Sequence, residues 1–459
     1  MSLSREFAAF AAGLRFEDLP PEVVDRAKGV TLHALASALL AHDMRAGREA
    51  LALMREEEAG GGTASVFGAR ETLTRAGAAF VNAEMIYAGG KWDTFRMLTH
   101  PGTTILPAAL AIAEWKSASG KEFLTALAAG YEVMERMASE FIPTVMARGF
   151  HASPVFGIFG AAVAAAKLEG LGIEGIEGAI AQAVGLACGN LEGLRSGGQI
   201  LREGGAVRNA LLAAALGRRG RRCGETTLEG DAGFYHAYAG NNRGELALSF
   251  SGMNRADPAR ITEGLGQTWL FLETLYRIYS TAGYNIAHVD VTARLCEEHA
   301  IRAEEIERIE AVVNWLEREY PSPAFPAAGN DAEPRAGSTQ YFAAWGAAKR
   351  FYPVWRPADD PDPPAVLELM HRVRLIPAHR HPLFAPRVTV FLKDGRSVTR
   401  EGTGREFIWD FEEEARRIRG VAPGLAISEA QFAALIETCR RLETVDTAAE
   451  RLFAQTIPR

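Results

Sequence analysis

Three stretches dominated by alanine and glycine, residues 157–166, 178–188 and 206–217, constrain this 459-residue chain more than any other feature. Side chains this small let helix axes approach closely, so each stretch predicts a helix packed tightly against others. The longest uncharged run, from Gly149 to Ala166, has nearly the length of a bilayer span. Its hydrophobicity is too weak for that role, because it holds His151, Ser153 and Pro154 among glycines and alanines, and it reads as a buried helix. Hydrophobic residues make up 48% of the chain and charged residues 23%, which supports a packed core and excludes intrinsic disorder. With 50 basic and 57 acidic residues the net charge is −7, so no general attraction for nucleic acid or an anionic membrane is expected.

The first half of the chain predicts helix after helix. Asp18-Leu-Pro-Pro-Glu-Val-Val is a helix start, with proline in the first turn where a missing N–H costs nothing, and the helix is expected to run to about Ala41. Gly60-Gly61-Gly62 interrupts the chain, and Thr72 to Tyr87 reads as helix with Leu73, Ala76, Phe80 and Ala83 on one face. Ser119 with Glu122 three residues on forms a capping pattern, followed by the stripe Leu124, Leu127, Tyr131 and Met134. The texture changes near residue 265. Ile306 to Asn314 reads as a strand, and Val388 to Leu392 with the Asp394-Gly395 turn reads as a hairpin. Pro357 to Pro364 reads as a loop, and helix returns from Arg405, with Ser428 as a cap. The expected fold is mainly α: a large all-helical domain, residues 1–265 plus 405–459, with a smaller α+β lid domain, residues 266–404, inserted into it.

Cys188, Cys223, Cys296 and Cys439 form no C-x-x-C pair, and the start MSLSREFAAF lacks an apolar signal core. Reduced thiols in a cytoplasmic protein are the expectation. Gly193 to Gly205 lacks both a Walker lysine-serine pair and a G-x-G-x-x-G, so no nucleotide is expected. The basic run Arg218, Arg219, Arg221 and Arg222 reads as a solvated loop, and His371, His379 and His381 lack an acidic neighbour for a metal site.

Polar chemistry concentrates in Lys91-Trp-Asp-Thr-Phe-Arg-Met-Leu-Thr-His100-Pro-Gly, between two helices. Asp93 and His100 there can serve as acid and base, and the N–H groups opening the next helix can bind a carboxylate. By spacing alone the same residues fit a helix-capping loop better. His151, just ahead of the Gly/Ala-rich helix, offers a second histidine at a helix start, or simply a satisfied cap.

The order of these elements resembles the MmgE/PrpD family over nearly the whole chain. The resemblance rests on Thr99-His-Pro-Gly with Leu106-Pro-Ala-Ala-Leu, Ser119-Gly with Ala129-Gly-Tyr-Glu-Val, Gly149-Phe-His with Gly157, Gly204-Gly-Ala, Leu228-Glu-Gly-Asp-Ala-Gly-Phe, and Ser338-Thr-Gln-Tyr. The family includes 2-methylcitrate dehydratase, cis-aconitate decarboxylase and iminodisuccinate epimerase. The resemblance implies a two-domain fold with an α+β lid, a homodimer, no cofactor, no metal and a small carboxylic acid as partner. Position by position, Asp93 and Thr94 match the end of a family D-F-D-D-T run, whose earlier aspartates fall on Gly90 and Trp92. His100, His151 and Tyr341 match family positions. A family lysine falls on Gln199, the histidine after it on Arg202, and a second lysine on Arg277, while His288 matches a downstream histidine.

The resemblance thus implies a cofactor-independent, dehydratase-like lyase acting on a small di- or tricarboxylic acid, by proton abstraction α to a carboxylate. An epimerase, isomerase or decarboxylase of the same family is the alternative, and a ligand-binding relative without catalysis is the competing class. The catalytic candidates are His100, His151, Asp93, Thr94 and Tyr341, with Arg202, Arg277, Gln199 and His288 for substrate binding. Arginine stays protonated where lysine can lose its proton, so the base is expected to be a histidine. Activity is then expected to fall as pH drops through roughly 6–7. His100→Ala or His151→Ala should lower turnover by about 10²-fold or more. Arg202→Ala should act mainly on substrate affinity. A pH–rate profile of the variants checks all three expectations.

Overall fold

The computed structural model describes residues 1–58, 60–196, 202–220, 224–257, 260–325 and 334–458. It is mainly helical. The first half contains α1 (Leu3–Gly13), α2 (Pro21–Leu40), α3 (Arg45–Glu57), α4 (Arg75–Gly89), α5 (Pro101–Lys116), α6 (Gly120–Ala138), α7 (Ile142–Ala147), α8 (Ala152–Leu168), α9 (Ile173–Leu186), α10 (Glu192–Ser196), α11 (Glu203–Arg218) and α12 (Phe234–Ala239). Short strands β1 (Ala64–Ser65), β2 (Thr72–Leu73) and β3 (Asp93–Thr94) lie between them.

The Gly/Ala-rich stretches fall on α8, α9 and α11. Helix α8 is the hub: every residue from Ala152 to Ala166 is buried, and α5, α6, α9 and α11 all pack against it. A close, reciprocal approach joins α6 and α8, where a Cβ on Gly160 would lie 2.6 Å from the carbonyl oxygen of Gly130, and one on Gly130 would lie 2.6 Å from that of Gly160. The capping box of Ser119 and Glu122 opens α6 as the sequence predicts. Helix α4 starts at Arg75 rather than Thr72. Thr72 and Leu73 pair as a strand with Ala64 and Ser65, and the Thr74 hydroxyl accepts the Gly77 N–H at 3.1 Å, which fixes the cap.

Further on, β4 (Leu275–Tyr276) leads to α13 (Gly283–Glu298), β5 (Ile306–Asn314), α14 (Trp315–Arg318), α15 (Thr339–Lys349), α16 (Pro364–Leu369), β6 (Val373–Ala378), β7 (Arg387–Leu392) and β8 (Ser397–Glu401). A sheet runs in the order β6-β5-β7-β8, with β5 parallel to β6 and the other pairs antiparallel. The β7–β8 hairpin turns at Asp394 and Gly395, whose φ of +90° suits glycine. Helices α13 and α15 pack together beside this sheet.

The chain ends in α17 (Phe411–Ile418), α18 (Glu429–Arg440) and α19 (Ala448–Thr456). These return to the first helices: α17 and α18 pack on α2, and α19 packs on α5. A buried contact of 2.7 Å between His33 Nδ1 and Glu414 Oε1 ties α2 to α17, and the Trp409 indole N–H donates to the same carboxylate at 2.9 Å. Cys188, Cys296 and Cys439 are free thiols, and Cys223 lies outside the described residues. Among the described residues, no helix is long and apolar enough to cross a membrane.

The α6–α8 contact has no room for a methyl group. Gly160→Ala is expected to destabilise by about 1–3 kcal/mol, the usual cost of overpacking. Gly185→Ala, at a helical position with open space around it, should be neutral or stabilising by about 0.4–1 kcal/mol. Urea and thermal melts of the two variants check the contrast; equal melting of both would overturn the packing argument.

Candidate active site

The site is built where two distant pieces of chain pair. Strand β3 lies antiparallel to β4, with Asp93 opposite Tyr276 and Thr94 opposite Leu275. The Arg277 N–H donates to the Trp92 carbonyl at 2.9 Å, which extends the pairing and sets Arg277 beside the polar loop. The loop then turns into α5, with His100 at the cap and Pro101 as the first helical residue.

Asp93 is wholly committed to structure. Its carboxylate accepts the Gly102 N–H at 2.9 Å and the Tyr131 hydroxyl at 2.5 Å. The expected carboxylate site at the start of α5 is thus filled by the protein's own side chain. Burial raises the Asp93 pKa, against the lowering effect of those hydrogen bonds. Asp93 does orient His100, but through its backbone: His100 Nδ1 lies 3.2 Å from the Asp93 carbonyl and 3.2 Å from Thr94 Oγ1. A carbonyl can only accept, so Nδ1 is assigned the proton and Nε2 carries the lone pair of a base. Burial, followed by the charge of Arg277, holds His100 well below the ordinary histidine range.

Two guanidinium groups flank this histidine, each resting on an aromatic ring. Arg277 lies 3.6 Å over the Trp92 ring and Arg202 lies 5.0 Å over Tyr87. Trp92 and Tyr87 stack with centroids 4.4 Å apart, and Trp92 packs at 4.5 Å on His100. Arg202 donates to the Tyr87 hydroxyl at 2.5 Å, and Arg277 donates to the Gly90 carbonyl at 3.2 Å. The Nε atoms of both arginines are buried and make no hydrogen bond among the described residues, although Arg202 Nε lies 3.4 Å from Glu203 Oε1 as an ion pair. Burial lowers the Arg277 pKa to about 10, which still leaves it charged at neutral pH.

His151 caps α8, with its N–H donating to the Gly189 carbonyl at 3.1 Å. Its ring is buried, and Nδ1 has no hydrogen-bond partner among the described residues. Burial, then Arg202 and His100, push it well below the ordinary range. Glu203 links the two histidine-bearing helix starts. Its Oε2 lies 3.2 Å from the Thr103 hydroxyl and 3.4 Å from Ser153 Oγ, which in turn accepts the His100 N–H at 3.2 Å. Glu84 accepts the Gly204 N–H at 2.7 Å, and burial raises its pKa to about 7.

The structure therefore gathers Asp93, Thr94, His100, His151, Arg202 and Arg277, and leaves two candidates elsewhere. Tyr341 is set apart from this group by its partners: its hydroxyl is engaged with Asp362 at 2.6 Å and Arg356 at 3.2 Å. Tyr320 stands there instead, lining a cleft with Thr94, His100, Arg277 and Tyr284 and facing Tyr87 and Arg202. His288 is the other. It is buried on α13, and burial, then the charge of His381, lowers its pKa to about 3. Gln199 lies outside the described residues. Among the described residues, no three His, Cys, Asp or Glu side chains converge as metal ligands.

Sequence reasoning also passed over Lys91. Its ammonium is buried, with Nζ 2.6 Å from Ser280 Oγ, and burial followed by Arg277 lowers its pKa to about 7. Its place directly after Gly89-Gly90, where the backbone leaves the core of a buried helix, was the available signal.

Residues 5–247 match the family model described as the MmgE/PrpD N-terminal domain. The chain is 28% identical over 300 residues to the cis-aconitate decarboxylase-like protein oryM of Aspergillus oryzae, covering 61% of this chain and 59% of that protein. It is 28% identical over 294 residues to a cis-aconitate decarboxylase of Aspergillus terreus (61% and 57% covered). It is 29% identical over 246 residues to the cis-aconitate decarboxylase of Homo sapiens (52% and 50% covered). The chain thus spans between half and three-fifths of the length of these curated relatives.

The buried histidines give a pH signature in stability. Both resist protonation when folded but take up a proton near pH 6.5 when unfolded, so their contribution is lost as pH falls below 6.5. Each can add a slope of up to about 1.4 kcal/mol per pH unit below that value. The acid limb of any histidine-dependent activity also moves below the 6–7 window expected from the sequence. Melting temperatures between pH 7 and 5 should fall less steeply for His151→Gln than for the unaltered protein. Parallel slopes would contradict the burial of a neutral ring.

Proposed function

The chain belongs to the MmgE/PrpD family, and from that premise we propose that it is a cofactor-independent lyase acting on a small di- or tricarboxylic acid. The observation that carries this reading is a neutral, buried histidine base next to two guanidinium groups, of which Arg277 has no carboxylate partner among the described residues and Arg202 lies 3.4 Å through Nε from Glu203. Arg277 and Arg202 hold substrate carboxylates, and the charge they place on the acid group favours loss of the neighbouring proton. His100 Nε2 takes the α-proton. In a dehydration the resulting imidazolium returns that proton to the departing hydroxyl, which leaves as water. Thr94 keeps His100 in the required tautomer with the Asp93 carbonyl. His151 is the second proton carrier, and Tyr320 is the hydroxyl nearest this chemistry. The sheet-bearing segment acts as a lid over the helical part, and the protein works as a homodimer.

The relatives named as cis-aconitate decarboxylases make tricarboxylic acids the first class to test. In deuterated water, a dehydratase or epimerase exchanges the α-hydrogen of its substrate for deuterium. A decarboxylase releases CO₂ and leaves deuterium in the product. Proton NMR of cis-aconitate, citrate and related di- and tricarboxylates with the protein reads both outcomes, and a melting screen reads binding. A ligand at a hundredfold excess over its dissociation constant stabilises by about 2.7 kcal/mol. Exchange or CO₂ release that disappears in His100→Ala supports the proposal. A melting shift with neither exchange nor CO₂ identifies a ligand-binding protein without catalysis.

A further inference from the structure

Lys91 and Ser280 form a pair that the chemistry above does not use. They are remote in sequence and meet because β3 lies on β4, with Lys91 just ahead of one strand and Ser280 just beyond the other. The Lys91 side chain is buried at 1% exposure, whereas Ser280 is exposed. Nζ and Oγ are 2.6 Å apart. No carboxylate pairs with Lys91 among the described residues, and its charged neighbour is Arg277. Burial and that like charge bring the ammonium to about 7, so near neutral pH a large fraction is the free amine. An amine in that state at hydrogen-bond distance is what a serine hydroxyl requires to become a nucleophile. Helix α13 begins at Gly283, three residues beyond Ser280. Its first N–H groups lack partners within the helix and suit a developing oxyanion.

We propose that Lys91 and Ser280 are a serine–lysine dyad that accepts the acyl group of activated esters or thioesters of small carboxylic acids, with Arg277 holding the free carboxylate of the acyl chain. Lys91 Nζ takes the proton from Ser280 Oγ as the oxygen bonds to the acyl carbon. The bond from that carbon to the leaving oxygen or sulfur breaks, and the leaving group takes the proton from Lys91. Water, giving a proton to Lys91, then attacks the acyl-enzyme, and Ser280 leaves with that proton as the free acid departs.

A fluorophosphonate probe tests the dyad without a substrate. Ser280 Oγ bonds to phosphorus, fluoride leaves, and Lys91 holds the released proton. Mass spectrometry of the intact protein and its peptides should show one adduct, on Ser280. It should be absent in Ser280→Ala, which alters an exposed side chain, and slower by about 10²-fold in Lys91→Met, the usual scale for losing a base. Melting curves establish that the variants fold. If Lys91→Met does not, Lys91→Arg keeps the charge but cannot accept a proton, and gives the same decision. No adduct on the unaltered protein, an adduct that survives Ser280→Ala, or undiminished labelling of the lysine variant would each overturn the dyad. The probe needs neither an α-proton nor a carboxylate, so its outcome is separate from that of the lyase reading.

Discussion

The buried carboxylate of Asp93 is the interaction on which the site depends. It holds the start of α5 through the Gly102 N–H and the middle of α6 through the Tyr131 hydroxyl. A Cβ at position 102 would lie 2.9 Å from both Asp93 oxygens and from the Tyr131 hydroxyl, so only glycine admits the contact. Leaving those donors unpaired in the core would cost about 1–3 kcal/mol each. With the carboxylate fixed, the backbone of residues 92–94 is fixed too. It is this backbone that pairs with β4, orients His100 and receives the Arg277 N–H. A side chain held by two protein donors thereby aligns the backbone around His100 and Arg277.

The helical core was legible in the sequence because its signal is local and repeated. Small residues along α8, α9 and α11 can do little but let helices approach, and the Ser119–Glu122 box and the Asp394-Gly395 turn are decided within a few residues. His100 and His151 were legible for a related reason, since a histidine ahead of a small-residue helix stays at that helix's start. The roles of Asp93, Tyr341 and His288 were not. Each turns on which partner a side chain finds across the fold, and Asp362, Tyr131 and His381 leave no trace in the spacing. Lys91 was hidden by the same limit. The sequence places it in the polar loop, but only the pairing of β3 with β4 sets it beside Ser280 and Arg277.

The electrostatic design explains how Arg277 can be buried without a carboxylate partner, while Arg202 keeps a single long contact, 3.4 Å from Nε to Glu203. A carboxylate partner would satisfy a guanidinium but also compete with any anionic ligand. Aromatic faces do neither: Trp92 and Tyr87 stabilise the charge from above, on the order of 0.5–2 kcal/mol each, and leave in-plane N–H donors unused. Of the carboxylates that lie near, Glu84 is engaged with the Gly204 N–H, and Glu203 with the Thr103 and Ser153 hydroxyls and, at 3.4 Å, with Arg202 Nε; burial raises both pKa values against these contacts. Arg277 therefore keeps a positive field, with no acidic side chain paired to it among the described residues.

That field also sets the strength of the base. Arg277 and Arg202 lower the proton affinity of His100, and Arg202 lowers that of His151, in addition to the effect of burial. An anion seated between the guanidinium groups would cancel much of this repulsion. The same event would thus position an acid substrate and make the adjacent imidazole more basic, since a nearby opposite charge favours the protonated ring. In the empty site the histidines stay neutral and hold no proton that would have to leave first. The coupling needs no conformational change, only the exchange of water for a carboxylate in a low-dielectric pocket.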